Sequence, residues 1–240
     1  MDRRIALAAA LVLTLACASA PPAQHAVVVT QTRYENVARG PGAELCEPLA
    51  SADQQIQKKQ FADAEARVDQ MLERFDEWLA DKPGRPVSVA NDAQLAQVRA
   101  ATNGEALVPL DLCYAELFQR KAFIQIERGD PNAALATLER KAVAAPTMAN
   151  TFTERGFILN QLRRYEEARR AYEHALYLIA RYPENPDEAL AQRGLGYALT
   201  ELGDLDAAER AYERSLELDP GNPLARNELG YIQHLRQQQR

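Results

Sequence analysis

Histidine and cysteine are scarce in this chain of 240 residues, which contains three of each. The histidines, His25, His174 and His234, are widely separated, and the chain has neither an HExxH motif nor a pair of CxxC motifs. Protein zinc sites usually draw their ligands from such closely spaced pairs. The sequence therefore predicts no metal site.

Motifs that bind phosphate or activate a nucleophile are also missing. The chain has no GxSxG, no phosphate-loop Gly-Lys-Ser and no dinucleotide fingerprint. Carboxylates are abundant, but they fall on the polar faces of predicted helices, where they keep the surface soluble. We therefore expect neither catalysis nor a cofactor.

A basic patch is absent, and the formal net charge is −6 at pH 7. The arginines between residues 155 and 170 are interleaved with glutamates, as on a solvated helix face with i to i+4 ion pairs. Binding to nucleic acid needs clustered Lys and Arg that neutralise phosphates. No nucleic-acid partner is expected.

No hydrophobic run stands out as a membrane anchor. Residues 5–16 are apolar and follow Arg3 and Arg4, but they are too short for a stable span, so residues 1–20 are predicted to be a secretory signal. Cys17 comes directly after Leu15 and Ala16 and resembles the lipid-acceptor cysteine of bacterial lipoproteins. The alternative is ordinary cleavage after Ala18.

The two modes of cleavage predict two locations. Lipidation of Cys17 implies a periplasmic protein anchored to the outer membrane, because Ala18 is not the aspartate that retains some lipoproteins in the inner membrane. Ordinary cleavage implies a soluble periplasmic or secreted protein. Residues 21–42 are rich in Pro and Gly and predict a flexible or extended arm, with a run of three valines that favours a short strand.

The clearest pattern in the chain is the unit of residues 189–222. Gly203 and Asp204 interrupt its apolar periodicity, and Pro220 ends it, so it predicts two short helices folded back on each other. Such a helical hairpin buries too little surface to be stable alone. The unit therefore needs neighbours like itself.

Matching units precede it. Gly156, Ala168 and Tyr172 repeat Gly196, Ala208 and Tyr212 at a distance of forty residues, and Ala134 lies thirty-four residues before Ala168. Residues 177–187 account for the longer spacing, because they lengthen the second helix and its exit loop. Another second helix is predicted around Ala64, and residues 223–240 repeat only a first helix before becoming polar, as at the end of a repeat array.

These residues resemble the tetratricopeptide repeat family, whose pattern has a small residue at place eight, Ala at twenty, an aromatic at twenty-four, a small residue at twenty-seven and Pro at thirty-two. The resemblance implies an all-α, right-handed superhelical solenoid with a C-terminal capping helix. The predicted units are a degenerate helix pair at 43–80, an insertion with one short helix at 81–110, repeats at 111–148, 149–188 and 189–222, and a capping helix at 223–240.

The insertion has an alternative interpretation. The alanines at 64 and 134 are seventy residues apart, which is close to two repeat lengths, so a degenerate repeat could occupy 81–110. Nothing fills the expected small and aromatic places there. Asn91 and Asp92 can cap one short helix through Ala100.

Cys46 and Cys113 remain after Cys17. Each lies near the start of the first helix of a pair, and such helices line up side by side in a solenoid. Two interpretations stay open: a disulfide closed in an oxidising compartment, or two buried small side chains.

Aromatic residues follow the small residue of each first helix: Phe123, Phe157, Tyr197 and Tyr231. The resemblance implies that this ninth place points into the concave groove. The alternative is that the rings pack between helices. Because the ninth place is aromatic, the Lys and Asn pair with which some family members clamp a C-terminal carboxylate is missing. The predicted partner-binding residues are Phe123, Phe157, Asn160, Arg193, Tyr197, Thr200, Asn227 and Tyr231.

The leading prediction is a non-catalytic scaffold at the cell envelope that binds a protein or peptide in this groove. It is similar in layout to small repeat lipoproteins that assist pilus, secretin or outer-membrane protein assembly. Two other functions fit the sequence, a self-associating structural protein and an accessory subunit of an envelope enzyme that handles peptidoglycan.

Overall fold

The computed structural model describes residues 40–238 except 184 and 186. The predicted signal, Cys17 and nearly all of the arm lie outside the described residues. Of the described residues, 75% are helical, and the all-α repeat fold predicted from the sequence is confirmed.

The described helices follow a short 3₁₀ helix at Ala43–Cys46. They are α1 (Leu49–Gln57), α2 (Phe61–Leu79), α3 (Asp92–Ala101), α4 (Leu112–Glu127), α5 (Pro131–Ala144), α6 (Ala149–Gln161), α7 (Tyr165–Arg181), α8 (Glu188–Leu202), α9 (Leu205–Leu218) and α10 (Pro223–Gln238). Two short strands, β1 (Arg85–Ser88) and β2 (Leu107–Leu110), flank α3.

The helices form four hairpins and a final single helix. The hairpins are α1 with α2, α4 with α5, α6 with α7 and α8 with α9, and the second helix of each packs on the first helix of the next pair. In this stack α2 contacts α4 directly. The segment that joins these two helices, with α3 and the two strands, is therefore not part of the row of hairpins. Residues 81–110 thus contain α3 and two short strands between two consecutive hairpins of the stack.

The turn inside each hairpin has the same backbone conformation. Lys59, Gly129, Arg163 and Gly203 all have positive φ, between 56° and 82°. Each of these residues lies two positions before the second helix of its pair. A left-handed residue is a common way to end a helix, so the chain turns back at this position. This shared position shows that the degenerate first pair is built like the other three.

The small residues of the first helices contact the large residues of the second. A Cβ added to Gly156 would lie 2.7 Å from the ring of Tyr172, and one added to Gly196 would lie 2.9 Å from the ring of Tyr212. The same spacing of sixteen residues joins Ala122 and Leu138, which are both buried in one cluster. The hairpins therefore close around a small residue and a large residue at matching places.

Gly194 makes a second close contact that the sequence analysis missed. A Cβ added to Gly194 would overlap the ring and hydroxyl of Tyr172, because it would lie far closer than van der Waals contact allows, and Tyr172 is only 2% exposed. Tyr172 is thus held between Gly156 of its own pair and Gly194 of the next pair. Gly230 has no such neighbour, because nothing lies within 4 Å of its added Cβ.

The insertion contains the predicted helix and two strands that the sequence analysis did not predict. Asn91 caps α3 by accepting a hydrogen bond from the backbone N–H of Gln94, and β1 pairs with β2 in parallel. The buried side chain of Gln94 accepts a hydrogen bond from the hydroxyl of Thr147, in the loop before α6. The insertion is therefore attached to the stack through buried polar contacts.

A disulfide joins Cys46 to Cys113, with their Cα atoms 6.2 Å apart. The bond ties the first pair to the start of α4, and the rings of Phe75 and Tyr114 pack beside it with centroids 4.8 Å apart. Both ends of the insertion are thereby anchored, since α2 precedes the insertion and α4 follows it.

The longer spacing before α8 has a structural role. In this exit loop, the Asn185 side chain accepts a hydrogen bond from the Ala149 N–H and donates to the carbonyls of Thr147 and Tyr182. Asn185 therefore connects the end of α7 to the beginning of α6.

Candidate partner-binding groove

The first helices form the inner layer of the stack. Contacts join α1 to α4, α6 to α8 and α8 to α10. The second helices α7 and α9 stand apart across an open cleft of about 680 Å³, whose floor includes Leu195, Leu199 and Leu202 of α8. Because the outer helices are splayed while the inner helices touch, the stack curves with its first helices on the concave side.

The face of α8 opposite this cleft is the inner wall. An α-helix advances about 100° per residue, so Tyr197 lies about 200° around the axis from Leu195. Arg193 and Glu201 are four residues before and after Tyr197 and share its face. Because Leu195 faces the outer cleft, Tyr197 faces the concave side, as the repeat pattern predicts.

The four predicted rings have two different environments. Phe123 and Phe157 are partly buried and pack against the hydrophobic clusters of the first pairs and of the central pairs. Tyr197 and Tyr231 are also half-buried, but neither packs against a hydrophobic cluster of the described residues. The tyrosines of the C-terminal half are the rings that a partner can reach without competing with the core.

Two of the predicted polar residues are used inside the fold. Asn160 is 7% exposed and donates to the Gly194 carbonyl, and Thr200 is 7% exposed and donates to the Gly196 carbonyl. Asn160 thus bonds to α8 of the next pair, and Thr200 bonds within its own helix. Neither presents much surface to a partner.

Of the other two predicted polar residues, Arg193 is bonded inside the fold and Asn227 is exposed. The Arg193 guanidinium is 3.3 Å from both the Ser215 hydroxyl and the Asp219 carboxylate at the end of α9, and it contributes to packing within its own pair. Asn227 on α10 is exposed.

An acidic tyrosine cluster occupies the C-terminal part of the inner wall. We use this name for Tyr165, Tyr197, Glu201 and Glu228. The rings of Tyr165 and Tyr197 lie edge to face, with centroids 6.2 Å apart. Burial and a hydrogen bond to the Glu201 carboxylate raise the pKa of Tyr165, and burial and the negative charge of Glu201 raise the pKa of Glu228. The sequence analysis missed Tyr165 and Glu228, because residues from different helices meet here.

Buried charges cross the N-terminal part of the stack. Arg120, whose side chain is 6% exposed, pairs with Asp53 at 3.1 Å and with Glu116 at 3.1 Å. Lys141, 1% exposed, donates hydrogen bonds to Gln119 and to Asn150, 3.0 Å away, and burial lowers its pKa to about 8. Glu154 lies beside it, and burial raises the pKa of this carboxyl. These contacts join α1, α4, α5 and α6, so they position the helices.

Residues 40–183, 185 and 187–238 contain no group of three or more His, Cys, Asp or Glu side chains that could hold a metal ion. None of the helices described there combines the length and the hydrophobicity of a membrane-spanning segment.

The paired helices, the small residues at their contacts and the turn geometry agree with a known repeat. Residues 147–220 match the tetratricopeptide repeat model. Proteins built from tetratricopeptide repeats are typically non-catalytic scaffolds that mediate contacts between proteins. No curated protein matches the sequence at a significant level.

Solved structures share the fold. A MamA double mutant (RS-1 ArsTM) has a TM-score of 0.56 at 16% identity, covering 83% of this chain and 88% of that one. A second MamA crystal structure has a TM-score of 0.53 at 19% identity, with 80% of each chain covered. The second tetratricopeptide repeat domain of human RPAP3, solved with an HSP70 peptide, is 27% identical over 48% of this chain and 92% of its own, with a TM-score of 0.44.

Proposed function

We propose that this protein is a non-catalytic scaffold that binds an extended or helical segment of a partner protein on its concave inner wall. The observation that supports this most strongly is the environment of Tyr197 and Tyr231. Both are half-buried and lie outside the hydrophobic clusters of the described residues. Tyrosine provides a large contact area with little loss of side-chain entropy, which suits a partner-binding surface.

The proposal includes a place at the bacterial cell envelope. The apolar segment at residues 5–16 and Cys17 support export and lipid attachment, with the repeats held in the periplasm at the outer membrane. The disulfide between Cys46 and Cys113 fits an oxidising compartment of that kind. By analogy with small repeat lipoproteins, the partner belongs to an assembly process such as pilus, secretin or outer-membrane protein assembly.

Partner capture by matched variants tests the groove. We expect the double substitution Tyr197→Ala and Tyr231→Ala to reduce crosslinked partner recovered from envelope extracts by about tenfold. Tyr177→Ala is the control, because Tyr177 is 62% exposed and lies on the outer helix α7. Equal recovery from the groove variant and the control, with both helical by circular dichroism, would refute the groove as the binding surface.

Metabolic labelling tests the membrane anchor separately. We expect radiolabelled palmitate to be incorporated into the wild-type chain and to be lost from Cys17→Ser. Incorporation that persists in the Cys17→Ser variant would show that another residue carries the lipid. No incorporation into the wild-type chain would favour cleavage after Ala18 and a soluble protein.

A further inference from the structure

The outer cleft between α7 and α9 lies at a place that a ring contact closes in the two preceding hairpins. In the second pair, the Arg140 guanidinium lies over the ring of Phe118, 5.1 Å from its centroid. In the third pair, the rings of Phe152 and His174 meet edge to face, with centroids 4.2 Å apart. Each contact joins the first helix of its pair to a residue twenty-two positions later on the second helix. A ring from the first helix thus covers this part of both hairpins.

The fourth pair has no aromatic residue at this place. Gln192 and Arg214 have the same separation of twenty-two positions, and both line the outer cleft. Arg214 pairs with Glu188 and Glu217, each 2.9 Å away, so its guanidinium is directed to these two carboxylates. The fourth hairpin is therefore open where the second and third are closed.

An ion pair between neighbouring hairpins is also replaced at the cleft. Lys121 of α4 pairs with Asp69 of α2 at 2.6 Å, and Arg155 of α6 pairs with Glu139 of α5 at 3.4 Å. Each cation comes directly before the small residue of its first helix. In α8 that place is taken by Leu195, which lines the cleft. An apolar side chain thus stands where the two earlier helices have a cation paired with the helix before them.

The two replacements leave an accessible apolar floor. Leu202 is 42% exposed and Leu195 is half-buried, and both line the cleft beside the buried Leu199. The floor runs along α8 from Gln192 to Leu202, which is about 15 Å, or nearly three turns of a helix. A cleft of about 680 Å³ has room for a large side chain, and open concave apolar surfaces of this kind commonly bind a partner.

The charged groups on the two walls of the cleft differ. On α7, Arg169 is bonded to both Glu166 and Glu173, so the carboxylates of this wall have a cation of their own. On α9, Asp204 caps the start of the helix, and Arg210 is exposed. None of the ion pairs between described residues includes Arg210. The cleft therefore offers a cation to a carboxylate from outside.

We propose that the outer cleft is a second binding site, which takes a partner helix carrying an aromatic and an acidic residue one turn apart. The aromatic ring lies over Leu195 and Leu202, in the place that Phe152 fills in the preceding pair. The carboxylate pairs with Arg210 on the α9 wall. This site is on the convex side of the stack, so the inference goes beyond the groove of the proposed function.

Peptide binding to the purified full chain tests the chemistry of the occupant. The probe is an end-blocked helical peptide of Ala and Gln, about 20 residues long, with one Phe and with Glu four residues before and after it. Comparison peptides replace Phe by Ala, or both Glu by Gln or by Lys. We expect the probe to shift the methyl NMR signals of Leu195, Leu199 and Leu202.

The affinities decide between the possible occupants. We expect the probe to bind about tenfold more tightly than the Ala peptide and about threefold more tightly than the Gln peptide. Equal affinities for the probe and the Ala peptide would overturn the inference, and so would tighter binding of the Lys peptide. A dimer of the chain that forms without peptide, and that the probe dissociates, would also overturn it, because a second copy would then occupy the cleft.

A variant that fills the cleft locates the site. Gln192→Phe together with Arg214→His gives the fourth pair the two rings that the third pair has at these places. We expect this variant to unfold at the wild-type temperature or above, and to bind the probe at least about tenfold more weakly. The control is Gln97→Phe with Arg99→His, the same two changes at exposed positions of α3. Equal affinities of the two folded variants would overturn the inference.

A substitution on the surface tests the site without touching its floor. Arg210→Gln should weaken binding of the probe about threefold and leave binding of the Gln peptide unchanged. Arg170→Gln is the control, because Arg170 has a side chain that is 70% exposed on α7 and does not line the cleft. Equal loss in both variants would show that only net charge matters, which contradicts a carboxylate bound at Arg210.

The outcomes are separate from those of the concave groove. Tyr177, the outer control position for the groove, does not line the outer cleft and instead packs beside His174, with centroids 6.0 Å apart. If the probe fails to bind while partner capture depends on Tyr197 and Tyr231, the groove stands and the second site is wrong. If the cleft-filled variant loses the probe while partner capture does not depend on the two tyrosines, the second site stands and the groove is wrong.

Discussion

Among single residues, the glycines at the helix contacts have the clearest physical role. Gly156 and Gly194 approach Tyr172 from two adjacent pairs, and Gly196 approaches Tyr212. Both tyrosines are 2% exposed, so neither ring has space into which it can move. A single methyl group added at any of these positions would push the neighbouring helices apart.

The substitution Gly194→Ala should therefore destabilise the fold. We expect it to lower the free energy of unfolding by about 1–3 kcal/mol, because the added Cβ would overlap Tyr172. Gly230→Ala is the matched control, since open space surrounds its Cα and alanine favours a helix by about 0.5–1 kcal/mol. Chemical denaturation measures both, and a Gly194→Ala variant as stable as Gly230→Ala would contradict the packing described here.

The hairpin turns give a prediction of opposite sign. Arg163 has φ of 56° at the position where Gly203 has φ of 82°. A side chain in the left-handed region is strained, so Arg163→Gly should raise the free energy of unfolding by about 0.5–1 kcal/mol. The reverse change, Gly203→Arg, should lower it by about 1 kcal/mol. Thermal unfolding measures both variants. If both substitutions raised the melting temperature, or both lowered it, the two turns would not share the same geometry.

At the scale of secondary-structure elements, the insertion and the disulfide belong together. The segment between Cys46 and Cys113 spans 67 residues and includes α2, α3 and both strands. Cross-linking a loop of this length stabilises a protein by about 4 kcal/mol in the chain-entropy model. The first pair, which is the most degenerate, is the part that benefits.

Removing the disulfide should therefore affect the N-terminal part of the chain first. We expect Cys46→Ser together with Cys113→Ser to lower the free energy of unfolding by about 2–4 kcal/mol and to speed amide hydrogen exchange in α1, α2 and α3. Helices α8 and α9 are the internal control and should exchange as in the wild type. Uniformly faster exchange along the chain would indicate that the disulfide does not act locally.

The elements also show which features could be predicted from sequence. Breaker residues such as Gly203 with Asp204, and the recurrence of Gly and Tyr sixteen residues apart, were enough to predict the hairpins of the C-terminal half. The strands were not predicted because each has four residues and contains a proline, which gives no usable alternation. Pro86 and Val108 pair across the chain, a contact that no local pattern encodes.

The candidate site was predicted less completely than the fold. The resemblance to the repeat predicted Tyr197 and Tyr231 as groove residues, but the repeat pattern could not show that Asn160 and Thr200 are each only 7% exposed. Glu228 comes to the cluster from a separate helix, where burial and the charge of Glu201 raise its pKa. Contacts between repeats depend on how closely neighbouring pairs of helices pack. The sequence pattern of a single repeat does not predict that distance.

At the scale of the whole molecule, the first helices touch while the outer helices α7 and α9 separate. This arrangement creates a concave wall that four hairpins and α10 hold in place. The buried contacts of Arg120 and Lys141 connect the N-terminal helices, and the tyrosine–glycine contacts connect the C-terminal ones. The wall is therefore preorganised, which reduces the entropy lost when a partner binds.

Site-specific photocrosslinking in cells tests the central claim most directly. A photoreactive benzoylphenylalanine replaces Tyr197 or Tyr231 on the inner wall in two variants, and Tyr177 on the outer surface of α7 in a third. We predict a crosslinked partner band from the two inner positions and none from the outer position. A band from position 177 with none from 197 or 231 would contradict the account, because it would place the partner on the convex side.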